Sequence, residues 1–157
     1  MKLHFYDESF KRVIYGYTLT KEQRRYTGTP EECIKKSQVD PDRHSILVME
    51  KGELVTFFVL HMNEGVKPYT NNEKSILVRG FSTDFYHQGK GYAKQSLKLL
   101  PDFVRKKFPG VDEIILAVNI QNLAAQSLYK KCGFQDEGVR RMGRKGEFII
   151  KMTEAYF

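Results

Sequence analysis

Two stretches of this sequence carry residue types that could do chemistry. The first is Gln88-Gly89-Lys90-Gly91-Tyr92-Ala93. Glycines at a strand-to-helix turn let the backbone approach a ligand with no Cβ in the way. A helix starting behind them offers unpaired N–H groups and the positive end of its dipole, which suits a pyrophosphate. Lys90 and Lys94 add positive charge nearby. On its own a glycine pair marks no more than a turn. It is not a dinucleotide fingerprint, because the third glycine position of G-x-G-x-x-G holds Lys94. It is not a Walker A loop either, since no Gly-Lys-Ser/Thr follows at the right spacing.

The second stretch runs from Asn119 to Phe134. Asn122 stands where a helix N-cap is expected, directly after an apolar strand. Asn122, Ala125 and Tyr129 are spaced by three and four, so they share one helix face. Leu128 and Cys132 fall on a neighbouring face that reads as core. Taken alone, Tyr129 reads as a packed aromatic with a satisfied hydroxyl.

The elements that must position these residues follow from periodicity. Residues 1–7 alternate as a short strand. Residues 18–25 and 30–36 read as short helices, the second with Thr29 as N-cap and Pro30 at its first position. Residues 45–50 and 53–62 are strands rich in β-branched and aromatic residues, joined by a hairpin turn at Lys51-Gly52. Residues 74–84 form another strand that leads into the glycine loop. Ala93, Leu97, Leu100 and Val104 then make a core-facing helical stripe, which Pro101 is expected to kink. Residues 113–118 are a short apolar strand and 122–131 a second helix, stopped by Gly133. Residues 134–142 and 146–153 read as a closing hairpin. From Ser45 onward the order β-β-β-α-β-α-β-β implies a mixed sheet with the two later helices packed on it.

Composition bounds the function without choosing it. A chain of 157 residues suggests one domain, long enough to fold without a disulfide or metal. No apolar run approaches the ~18 residues of a membrane helix. The first eight residues turn acidic before a signal-peptide core could form, so a cytoplasmic protein is expected. Two cysteines, Cys33 and Cys132, make no framework, and four scattered histidines lack metal-ligand spacing, so no metal is expected. The net charge of +7 admits a nucleic-acid binder, a solvated basic surface or a site for one anionic ligand. Its 19 acidic residues are interspersed among the basic ones, which speaks against nucleic acid.

Together, in this order, the two stretches resemble the GCN5-related N-acetyltransferase (GNAT) superfamily. Its phosphate loop, Q/R-x-x-G-x-G/A, is filled by Gln88, Gly91 and Ala93. Its later signature, N-x-x-A-x-x-L-Y-x-x-x-G-F, is filled by Asn122, Ala125, Leu128, Tyr129, Gly133 and Phe134. The resemblance implies a single α/β (α+β) domain over residues 1–157, with a mixed, mostly antiparallel sheet flanked by helices. It implies acetyl-CoA as cosubstrate and a small-molecule or peptide amine as acceptor, with a homodimer left open.

Residue by residue, the resemblance implies that backbone N–H groups of Gln88, Gly89, Lys90, Gly91, Tyr92 and Ala93 hold the pyrophosphate. Phe81, Ser82 and Thr83 would pair their backbone with the pantetheine arm, and Asn122 would contact it from the helix start. Tyr129 would protonate the departing thiolate, and Lys131 would lie near the adenosine phosphates. The family's usual base, a Glu before the phosphate loop, has no counterpart, because that region reads Val78-Arg79-Gly80-Phe81. Glu50, Asp84 and His87 are the remaining candidates. No carboxylate cluster suited to a polyamine is found. A non-catalytic acyl-CoA-binding module and a basic nucleic-acid-binding protein remain as alternatives.

Overall fold

In the computed structural model, which describes residues 1–141 and 147–153, the strands are β1 (Lys2–Phe5), β2 (Arg43–Glu50), β3 (Glu53–His61), β4 (Ser75–Thr83), β5 (Glu113–Asn119), β6 (Gln135–Arg141) and β7 (Glu147–Thr153). They form one sheet in the order β1-β2-β3-β4-β5-β7-β6. Every pairing is antiparallel except β4 with β5, which is parallel. A parallel pair needs a long crossover. Here the helix α3 (Tyr92–Lys107) supplies it. The other helices are α1 (Lys11–Tyr15), α2 (Pro30–Val39) and α4 (Leu123–Lys131).

The sheet is covered on both faces. Ile46, Phe58, Ile76, Val78, Leu116 and Val118 pack under α3 and α4, against Leu97, Leu100, Val104 and Tyr129. On the opposite face Leu47, Phe57 and Val59 pack beneath α1 and α2, through Val13, Ile14 and Ile34. Leu77 and Ile115 lie on that same side with Val66 and Tyr69. Side chains alternate along a strand, so α3 and α4 lie on one face of the sheet and α1 and α2 on the other.

Local chemistry accounts for most boundaries. Thr29 accepts from Glu32 N–H at 3.2 Å and caps α2, with Pro30 in its first turn. Lys51 and Gly52 both have positive φ, as the tight β2–β3 hairpin demands. Pro101 sits inside α3, buried, and the helix continues past it to Lys107. The expected helix over residues 18–25 is instead irregular chain and a turn leading into one 3-10 turn, Gln23–Arg25. Thr18 N–H is captured by Asp84 Oδ1 at 2.6 Å, and Thr20 N–H by Gln23 Oε1 at 2.9 Å. Gln23 N–H donates back to Thr20 Oγ1 at 3.2 Å, so Thr20 and Gln23 cap the 3-10 turn reciprocally. The helix α1 had no sequence signature strong enough to stand out. Met142 and Gly146, the inner ends of the expected closing hairpin, lie outside the described residues.

Candidate active site

Partway along their length, β4 and β5 separate. Their parallel register runs from Ser75 opposite Glu113 to Val78 opposite Leu116 and stops there. Beyond it the strands diverge around a cleft of about 350 Å³, lined by Arg79 to Phe81 on one side and Ala117 to Asn119 on the other. One extra residue in β4 contributes to the parting. Ser82 stands opposite Phe57 but Arg79 opposite Val59, a bulge at Gly80 and Phe81. Gly80 takes φ +63°, and a Cβ there would lie 3.1 Å from Cys33 Sγ. Glycine suits both demands.

The bulge also decides which backbone groups of β4 face the opening. Asp84 N–H donates to the Val55 carbonyl at 3.0 Å, and Ser82 is in register with Phe57. Alternation along an antiparallel strand therefore turns Phe81 and Thr83 the other way, into the cleft. Ser82, expected among the pantetheine contacts, points its backbone toward β3, and its carbonyl also accepts the Tyr17 hydroxyl at 2.7 Å. The Thr83 carbonyl accepts Gln23 Nε2 at 2.8 Å. Phe81 and the Thr83 N–H are the groups left for a ligand.

The helix α4 forms the other wall. Asn122 caps it by accepting Ala125 N–H at 3.2 Å, which leaves its amide N–H₂ for the cleft. Tyr129 lies on the same face, 7% exposed, its ring edge-on to Phe81 at 5.9 Å and to Phe134 at 6.3 Å. Its hydroxyl makes no hydrogen bond among the described residues. Burial, helped by the nearby Cys132, pushes its phenol well above the usual tyrosine range.

At the end of β4 the chain makes one 3-10 turn, Phe85–His87, and enters the glycine loop. Gly91 is the N-cap of α3 with φ +80°. Gln88 N–H donates to the Phe85 carbonyl at 3.3 Å, so it does not belong to the open set of donors. The N–H groups of Gly89, Lys90, Gly91, Tyr92, Ala93 and Lys94 have no acceptor among the described residues. Gln88 to Gly91 are exposed, and Tyr92 and Ala93 half-buried. Lys131 is exposed in the last turn of α4, with no contact tying it to this loop among the described residues.

None of the candidate bases reaches the cleft. Glu50 pairs with the N-terminal amine at 3.6 Å. His87 is clasped between Asp84 Oδ2 at 2.6 Å and Glu53 Oε2 at 2.7 Å, which holds its pKa above the usual histidine range. Among the described residues lining the cleft there is neither a carboxylate nor a histidine. Sequence reasoning missed Arg25, Tyr26, Thr27 and Asn119, which also line it. Arg25 ends the 3-10 turn and Tyr26 and Thr27 follow it, and none of the three carries a motif. Asn119 had a signal in its place at the end of an apolar strand.

Residues 9–134 match the family described as Acetyltransferase (GNAT) family. The chain belongs to that family. It is 40% identical over 151 residues to the uncharacterized N-acetyltransferase YbbJ of Bacillus subtilis (strain 168), covering 96% of this chain and 94% of that one. Its fold is shared with the aminoglycoside acetyltransferase AAC(6')-Ib in complex with coenzyme A and kanamycin, at TM-score 0.78 and 17% identity, over 99% and 95% of the two chains. A spermidine N-acetyltransferase SpeG chimera from Vibrio cholerae and hSSAT matches at TM-score 0.72 and 22% identity, over 99% of each chain. The mixed, mostly antiparallel sheet flanked by helices is the fold of these acetyltransferases, and this member of the family is an N-acetyltransferase of the GNAT type. No helix among the described residues is long and apolar enough to cross a membrane.

Proposed function

We propose that the cleft between β4 and β5 receives the acetyl-pantetheine end of acetyl-CoA, and that a primary amine attacks the thioester directly. The observation that carries this reading is the parting of the two strands beyond Val78 and Leu116, with Asn122 and Tyr129 on one wall. Phe81 and the Thr83 N–H extend the sheet onto the pantetheine amides, and the Asn122 amide meets them from α4. The N–H groups of residues 89–94, at the positive end of α3, take the pyrophosphate, with Lys90 and Lys94 adding charge. Gln88 contributes its side chain at the entry, and Lys131 adds charge towards the adenosine phosphates. The domain spans residues 1–157.

In the reaction a new N–C bond forms as the C–S bond breaks. A phenol whose pKa is raised keeps its proton at neutral pH, so Tyr129 can supply it to the departing sulfur. The amine's proton leaves through solvent, since no base lines the described part of the cleft. A lysine-like amine, with pKa ~10.4, costs about 4.6 kcal/mol to present neutral at pH 7.

The test is coenzyme binding followed by release of free thiol with a panel of amines. Acetyl-CoA at 100 times its dissociation constant should add about 2.7 kcal/mol to stability and raise Tm. A folded sample showing no Tm shift at millimolar coenzyme, and no thiol release with any amine, overturns the assignment.

A further inference from the structure

The strand split is open on both faces of the sheet, and its second mouth is basic. On the face away from α3 and α4 the cleft continues into a second cavity of about 240 Å³. Tyr26, Thr27, Val78, Arg79, Gly80 and Ala117 line both. Leu77 and Val59, from the opposite core, help form its floor. Since the glycine loop opens α3 on the other face, a coenzyme held there leaves this mouth to the acceptor.

The charge of that mouth is lopsided. Among the described residues, Arg25, Lys36, Arg43 and Arg79 line the two connected cavities with one carboxylate, Glu32. Glu22 lies 3.2 Å from Arg25 and Asp40 3.2 Å from Arg43, which offsets part of that excess. Glu32 in turn lies 3.5 Å from Arg24, which offsets its charge. Arg141 adds another cation, its guanidinium 4.8 Å from the Tyr69 ring on the same wall. Arg79 is held in place. It donates to His61 Nδ1 at 3.1 Å, which puts the imidazole proton on Nε2, 3.4 Å from Asp40 Oδ2. Burial, with Arg43 and Arg79 nearby, holds His61 below its usual pKa and therefore neutral.

We infer that the acceptor is an amine whose body carries a carboxylate or phosphate, bound at the mouth formed by Arg79, Arg43 and Lys36, rather than a polycation. This rests on the acetyl-transfer reading above. Guanidinium groups recognise carboxylate and phosphate through paired N–H donors. The same field repels a polyamine or aminoglycoside, whose remaining ammonium groups would meet like charge.

The experiment compares acceptors matched for reactivity and differing in charge. The acids are aminoalkanoates from glycine to 6-aminohexanoate and O-phosphoethanolamine. The controls are the amides of the longer acids, and spermidine. The best acid should exceed its amide and spermidine by about tenfold or more in kcat/KM, a difference one charge-assisted contact can supply. Lys36→Glu, on the exposed side of α2, and Arg79→Gln should each narrow that gap by raising KM for the acid with kcat little changed. Amide and acid equal within twofold, or spermidine preferred, overturns the inference while leaving acetyl transfer intact. Failure to bind acetyl-CoA by calorimetry strikes instead at the acetyl-transfer reading. Should coenzyme bind without turnover, acid and amide are titrated into the enzyme–CoA complex, where equal affinity likewise overturns the inference.

Discussion

The Tyr17 hydroxyl donates to the Ser82 carbonyl at 2.7 Å and lies 2.8 Å from Ser82 Oγ. This contact fastens the N-terminal segment to the far end of β4, beside the two residues whose backbone faces the cleft. Removing the hydroxyl in Tyr17→Phe should cost about 1–2 kcal/mol of stability, since it leaves the buried Ser82 hydroxyl short of a partner. Coenzyme affinity should fall with it by a few fold, because the position of β4 is less well held. Denaturant midpoints and calorimetric titration of the same preparation check both. An unchanged midpoint would show that this pairing does not anchor the strand.

Gly91 separates the phosphate reading from a plain turn. Its φ of +80° disfavours any side chain, but a Cβ would meet nothing nearer than Gln95 Nε2 at 3.6 Å. Gly91→Ala should therefore fold with about 1 kcal/mol of strain and still bind coenzyme. Gly91→Asp adds a negative charge among the open N–H groups and should abolish binding. Equal affinities for the two variants by calorimetry would remove the phosphate from this loop.

Tyr129→Phe keeps the ring packed against Phe81 and Phe134 and deletes only the proton donor. With no hydrogen bond to the hydroxyl among the described residues, stability should change by less than about 1 kcal/mol. If the hydroxyl protonates the leaving sulfur, kcat should drop roughly 10²-fold at unchanged coenzyme affinity. A thiol is itself a tolerable leaving group, which makes this the lower end of the range. Turnover within about threefold of wild type would reduce Tyr129 to a packing residue.

His87 supplies a pH-dependent contribution to stability. Glu53 and then Asp84 raise its folded pKa above the ~6.5 of an unfolded histidine. The contribution is therefore complete below pH ~6.5 and is lost as pH climbs through the folded value. His87→Gln should be less stable than wild type at pH 6, and the gap should shrink towards pH 9. Urea midpoints across that range read it directly, and a constant gap would refute the clasp.

The motif residues were legible because their chemistry is local. A glycine pair before a helical stripe, and Asn-x-x-Ala-x-x-x-Tyr on one helix face, depend on φ preferences and on the 3.6-residue period. Both survive folding unchanged: Gly91 is the N-cap of α3, and Asn122 caps α4 with Tyr129 on its inner face. Strand positions were likewise readable from β-branched runs.

What tertiary structure decided is how the two motifs meet. The parting of β4 from β5 depends on a register ending at Val78 and on one extra residue opposite β3. Neither is visible in a single strand's pattern, because register is a property of two strands. The stretch from Thr18 to Arg25 reads as helix by local propensity, yet its Thr18 N–H and its Gln23 side chain are held by Asp84 and the Thr83 carbonyl, some 60 residues away. Those contacts tie the segment to the end of β4, and Arg25 lines the cleft with Arg79. Charge scattered along the sequence becomes a basic mouth only where the sheet gathers it, since electrostatic fields add in space and not along the chain.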